Sequence, residues 1–179
     1  MLYVFLVLAH DRRRILHFNV TAHPTAEWTA QQQDQHLSLC HWNLHQYQDA
    51  IEAARKAIAL APGSAEPYCA LGLAFEGQQK HEDAREAYER ALKLKPELPE
   101  TWHNLGELDL ETGRYEDAVT DLEKALAFGS GYSDTYYSLG LAHLKLGNTA
   151  AALAQCERLR SLDPDKERDL RNQITSETA

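Results

Sequence analysis

His36, Cys40, His41 and His45 come nearest to a metal site in this chain. They form two pairs at four-residue spacing on one expected helix, and such a pair can place two ligands on one ion. The two pairs are offset by about 100° around the helix axis, so a single four-ligand centre is not expected. His41 also falls in one column with Phe75, Asp109 and His143 at equal intervals, which favours core or interface histidines. A buried Asp109 needs a partner, and His143, one interval on, is the expected one. Catalytic chemistry has less to use. The chain has no Gly-rich phosphate loop and no His-Glu-x-x-His, and Cys69 lacks a base at a motif spacing. No enzyme, no metal and no cofactor are expected; catalysis could arise only from residue pairs that folding brings together.

The elements that carry these residues repeat at a fixed interval. Leu71-Gly72, Leu105-Gly106 and Leu139-Gly140 lie 34 residues apart, with Leu37-Ser38 one interval earlier. Tyr68, Trp102 and Tyr136 precede those leucines by three residues. Ala50, Ala84, Ala118 and Ala152 form one alanine column, Ala57, Ala91 and Ala125 another, and Pro62, Pro96 and Pro164 close three units. Within a unit, Tyr68, Leu71, Gly72 and Phe75 share one stripe of a first helix, and Ala84, Tyr88 and Ala91 share one on a second. Small residues stand where two backbones approach, and large ones fill the space beside them. Neither helix can bury its stripe alone, so stacked pairs are needed. Pro67 and Pro99 are expected in first turns and Ser64 as an N-cap. Pro62, Pro96 and Pro164 disfavour helix just before them. Where the third unit has Ser130 in the proline column, Gly129 and Gly131 can end the helix.

The order of aromatic, Leu-Gly, Ala and Pro at this period resembles the tetratricopeptide repeat. The resemblance covers residues 31 to 166 in four units, 31–64, 65–98, 99–132 and 133–166. It implies an all-α fold, a right-handed α-solenoid of helix-turn-helix units. Residues 167–179 are expected to form a capping helix with a frayed tail, in which Leu170 and Ile174, four apart, face the last unit.

Residues 1–30 show no such period. Leu2 to Leu8 is apolar, His10 to Arg14 is polar and Ile15 to Val20 alternates, which reads as two strands joined by a charged turn. A signal peptide is disfavoured because the arginines follow the apolar run, and the run is too short to span a bilayer. The stretch from Leu2 to Gln32, with His10-Asp11-Arg12-Arg13-Arg14, Phe18-Asn19-Val20-Thr21-Ala22-His23-Pro24-Thr25 and Ala26-Glu27-Trp28, resembles part of an integrase-core transposase. The resemblance implies the second and third strands of an RNase H-like sheet without its three catalytic acids, since neither Asp11 nor Glu27 matches one. A gene fusion would follow, with the joint between Gln31 and Leu37, where Asp34 replaces the aromatic of the later units. The segment is expected to be a short β-hairpin or disordered, not an independent domain. Two strands alone are marginal, and their apolar edge would invite self-association.

Composition is that of a water-facing helical array: 44% hydrophobic, 25% charged and nine glycines in 179 residues. Residues 1–30 hold Arg12, Arg13 and Arg14 against Asp11 and Glu27, a net +1, so the remainder carries −10 of the total −9. That balance opposes nucleic acid and anionic membrane as partners. Cys40, Cys69 and Cys156 are an odd and sparse set, which points to a reducing, cytoplasmic setting. Cys156 shares the packing column of Tyr88 and reads as a buried hydrophobe.

In tetratricopeptide proteins the concave surface, lined by the first helix of each pair, binds a peptide or helix of another protein. The stripe that would line it here is Glu66, Cys69, Leu73 and Glu76, then Glu100, His103, Glu107 and Leu110, then Asp134, Tyr137, Leu141 and Leu144. Gln35, Leu39 and Trp42 continue it into the first unit. The subgroup that clamps a C-terminal carboxylate uses Lys, Arg and Asn along this surface. Only Asn104 is similar here, so that specificity is not implied. The expected partner is a protein segment with basic and apolar side chains. The alternative is an inactive transposase-fusion remnant with residual or no DNA-related function.

Overall fold

The computed structural model describes residues 4–9, 14–19, 47–129 and 131–178. Two strands, β1 (Val4–Ala9) and β2 (Arg14–Asn19), pair antiparallel with Val4 opposite Asn19 and Ala9 opposite Arg14. Eight helices follow among the described residues: α1 (Tyr47–Leu60), α2 (Glu66–Gly77), α3 (His81–Leu94), α4 (Pro99–Glu111), α5 (Tyr115–Ala127), α6 (Ser133–Lys145), α7 (Thr149–Leu162) and α8 (Pro164–Thr178). The chain divides into two compact units, 1–95 and 96–179.

In the first unit α2 packs on both α1 and α3. Alanines make this possible. Ala50, Ala54 and Ala57 on α1 and Ala84 and Ala91 on α3 are fully buried, because only a methyl fits where two backbones come close. Gly72 takes the argument further. A Cβ there would lie 2.4 Å from the ring of Tyr88, itself fully buried. The Tyr88 hydroxyl donates to Glu76 Oε2 at 2.7 Å, so the buried ring keeps a partner for its polar tip. Pro67 lies in the first turn of α2. Ser64 does not cap that helix through a backbone N–H; its hydroxyl donates to the Glu66 carboxylate at 2.7 Å.

The second unit contains the hairpins α4/α5 and α6/α7, with α4 also against α6 and α8 against both α6 and α7. Pro99 opens α4, and α5 ends before Gly129, whose φ is +103°. Trp102 donates its indole N–H to the Pro96 carbonyl at 2.7 Å, and Lys124 Nζ sits 4.0 Å over its ring. Gly106 faces Leu122 as Gly72 faces Tyr88. At the next interval the second helix offers only Cys156, and the gap over Gly140 is filled from elsewhere. Leu170 of α8, fully buried, would lie 2.4 Å from a Cβ at Gly140. Leu170 and Ile174 join Leu144, Ala152, Cys156 and Leu159 in one apolar cluster.

The turn inside each hairpin requires a left-handed residue. Gly113 and Gly147 supply it at φ +78° and +75°, while the same place in the first unit is Gln79 at φ +59°. Among the described residues no helix is long and apolar enough to cross a membrane.

Candidate partner-binding surface

The residues expected to line a binding surface lie on the first helix of each hairpin: α2, α4 and α6. Gln35, Leu39 and Trp42, the metal candidates His36, Cys40, His41 and His45, and the joint near residue 34 lie outside the described residues. Among the described residues no group of three or more His, Cys, Asp or Glu could hold a metal ion.

On α2, Glu66 is exposed and its carboxylate lies 3.7 Å from Lys95 Nζ. Partial burial alone would raise its pKa, but the Ser64 hydroxyl, its own backbone N–H and Lys95 hold it below the usual carboxylate range. Leu73 is half-buried against Ala54 and Ala70, Cys69 is half-buried, and Glu76 accepts from Tyr88. Glu66, Leu73 and Glu76 are therefore engaged within the unit.

On α4, Glu100 is exposed and Leu110 half-buried, but His103 is 1% exposed. Its Nδ1 lies 3.1 Å from the Thr135 hydroxyl of α6. Its Nε2 is 3.2 Å from Glu107 Oε2, an ion-pair distance without the alignment of a hydrogen bond. Ser138 donates to Glu107 Oε1 at 3.1 Å. The expectation that His103 faces a ligand is corrected here: the ring is a tie between two first helices. The cause is the close seating of α6 on α4, which carries positions 103 and 107 inward.

On α6, Asp134 pairs with Lys166 Nζ at 3.2 Å, and the same ammonium contacts Ser133 at 3.0 Å and Asp163 at 2.9 Å. The Tyr137 hydroxyl donates to Asp169 and accepts from Gln173 Nε2 at 2.9 Å. Burial first, and then the Asp169 carboxylate, push its pKa up to about 12. Leu141 is half-buried. Leu144 is 4% exposed within the apolar cluster under α8, so it is a core residue and not a surface one.

Asp109 is fully buried, but its partner is Arg114 and not His143. Arg114 Nε donates to Asp109 Oδ1 at 3.1 Å, and the Arg114 backbone N–H donates to the Asp109 carbonyl at 2.8 Å. The turn between α4 and α5 brings the guanidinium back over the end of its own first helix, which is nearer than the next interval.

Sequence reasoning missed Lys166, Asp169 and Gln173, which occupy the open side of α6. A signal existed. Leu170 stands 34 residues after Tyr136, so the aromatic column of the repeat continues into α8 as an aliphatic residue. Read that way, α8 is seated as another first helix would be.

Models of the tetratricopeptide repeat match residues 37–102, 106–147 and 133–166. These matches begin after the stretch that resembles a transposase, and that resemblance gains no support from them. No curated protein matches the chain in sequence. Among solved structures, pilF of Pseudomonas aeruginosa is similar at 25% identity, TM-score 0.74, over 85% of this chain and 72% of that one. MamA of Desulfovibrio magneticus RS-1, residue 41 to the end, is similar at 18% identity, TM-score 0.70, over 84% and 94%. The first TPR of Spaghetti (RPAP3), bound to the HSP90 peptide SRMEEVD, is similar at 20% identity, TM-score 0.60, over 64% and 93%. The last two likenesses speak to the fold alone. With the repeat columns buried as close contacts and the repeat models together taking in well over half of its length, the chain belongs to the tetratricopeptide repeat family.

Proposed function

We propose that this chain is a non-catalytic interaction module that binds a segment of another protein along the first helices α4 and α6 of its second unit. The observation that carries the reading is the buried tie between α4 and α6. The His103 contact to Thr135 and the Glu107 contact to Ser138 hold two first helices side by side. A surface fixed in this way needs little ordering when a ligand arrives. What remains open on α4 is Glu100, exposed and without an ion-pair partner among the described residues, and the half-buried Leu110. One free carboxylate beside an apolar side chain suits a segment with basic and apolar residues. The peptide in the RPAP3 structure, SRMEEVD, carries more acids than bases. Such a peptide does not suit this stripe, so the partner proposed here differs in charge.

The odd and sparse set of Cys40, Cys69 and Cys156 supports a reducing compartment as the working environment. The decisive experiment is capture of proteins by the full chain compared with Glu100→Lys. Glu100 is the better choice than Glu107, because Glu107 helps to hold the fold. Loss of a specific partner with an unchanged melting curve supports the reading; the same partners captured by both chains would remove α4 from it.

A further inference from the structure

The exposed face of α3 is charged in a self-complementary order. Asp83 and Glu86 come first, Arg90 and Lys93 follow, and all four are exposed. The midpoint of Asp83 and Lys93 is residue 88, and so is that of Glu86 and Arg90. A second α3 laid antiparallel about that point would therefore set Asp83 against the other copy's Lys93 and Glu86 against its Arg90, in both directions at once. Such self-complementarity is what a twofold interface demands. A parallel arrangement would oppose like charges instead.

Three observations favour this over an ordinary solvated face. Glu86 and Arg90 are four apart and could pair along the helix, yet neither has an ion-pair partner among the described residues, and the same holds for Asp83. Lys93 has only a loose contact to Glu89 at 4.0 Å. The complete pattern occurs on α3 alone: α1 keeps Asp49, Glu52 and Lys56 but ends with Ala59, α5 keeps Asp117 and Lys124 beside Thr120 and Ala127, and α7 keeps only Arg158. Lys93 is thus the charge that makes the stripe symmetric. Finally, the charged face borders an open cleft of about 510 Å³ between α1 and α3, with Tyr68, Leu71 and Phe75 on its floor. That volume takes several side chains from a partner helix, and the small Ala87 beside the stripe keeps the cleft open.

We propose that α3 and this cleft form a dimerisation surface, occupied by the α3 of a second copy of the chain in antiparallel register. It is separate from the stripe assigned to partner binding. Because its charges are exposed, the dimer should weaken as salt rises.

The test is sedimentation of the full-length chain over a range of concentrations at low and high salt. The wild type should form a dimer that salt dissociates. Asp83→Lys with Glu86→Lys makes the stripe wholly positive, and Arg90→Glu with Lys93→Glu makes it wholly negative. Each of these variants should sediment as a monomer where the wild type is dimeric, and an equimolar mixture of the two should recover the dimer. Recovery also demonstrates that both variants are folded. A wild type that is monomeric throughout, a dimer that survives either reversal, or a mixture that stays monomeric would each overturn the proposal.

Discussion

Asp109 is shielded completely from solvent and its Oδ1 accepts a 3.1 Å hydrogen bond from Arg114 Nε, while the Arg114 side chain remains 31% exposed. A carboxylate buried this deeply needs polar partners, and the Arg114 guanidinium is one of them. Removal of that cation by Arg114→Met should destabilise the chain by about 3 kcal/mol, the usual effect of orphaning one half of a buried pair. Adding Asp109→Leu in the same chain should recover most of the loss. Thermal or urea unfolding of the two single variants and the double variant checks this. Equal and additive losses would mean that the pair is not coupled.

The glycines of the Leu-Gly column, Gly72, Gly106 and Gly140, should differ in their tolerance of a methyl group. At Gly72 an added Cβ meets the rigid ring of Tyr88 at 2.4 Å, whereas at Gly140 it meets a terminal methyl of Leu170. Alanine improves helix propensity by up to about 1 kcal/mol, but overpacking against a ring costs about 1–3 kcal/mol. Gly72→Ala should therefore lower the melting temperature more than Gly140→Ala. For Gly140→Ala the damage should be local, seen as faster amide exchange in α8.

Gln79 adopts φ +59° where Gly113 and Gly147 occupy the equivalent turns. A left-handed conformation costs a residue with a Cβ about 1–2 kcal/mol, part of which glycine returns through the entropy of its unfolded chain. Gln79→Gly should raise stability by about 0.5–1 kcal/mol, and Gly113→Gln should lower it by a similar amount. Urea midpoints of the two variants decide the matter.

The docking of α8 should be sensitive to pH at both extremes. Lys166 hydrogen bonds hold Asp163 below its usual pKa, so its contribution is complete above the ordinary Asp range, near pH 4, and fades as pH falls through the lower folded value. Tyr137 is the opposite case. Its raised pKa gives a contribution that is complete below its ordinary value near 10 and is lost as pH rises through about 12. Lys166→Met should flatten the acid side of the stability profile and Tyr137→Phe the alkaline side. An ultraviolet titration in which Tyr137→Phe removes no late-ionising tyrosine would contradict the second half.

How much of this was legible in the sequence follows from what a repeat encodes. The columns Ala50/Ala84/Ala118/Ala152 and Ala57/Ala91/Ala125 describe contacts within a hairpin or between adjacent helices, and all seven side chains are fully buried. Such contacts recur at one spacing, so a single chain displays them several times. The contacts of His103, Glu107 and Asp109 depend instead on the residue types at their own places. Gln79, Gly113 and Gly147 mark the same turn in three hairpins, but only the second has an acid before it, Asp109, and an arginine after it, Arg114. Leu144 was misplaced because α8, seated where a further first helix would stand, lies over it. The left-handed place at Gln79 could have been found, because Gly113 and Gly147 stand at the same interval.

Cys156 rests at the bottom of the pocket that α8 closes, fully buried beside Leu170 and Ile174, and that burial pushes its thiol pKa up. A protonated, covered sulfur is inert towards alkylating reagents. The residue is thus a clock inside the molecule: its rate of modification counts how often the last helix lifts away, and it does so without any added probe.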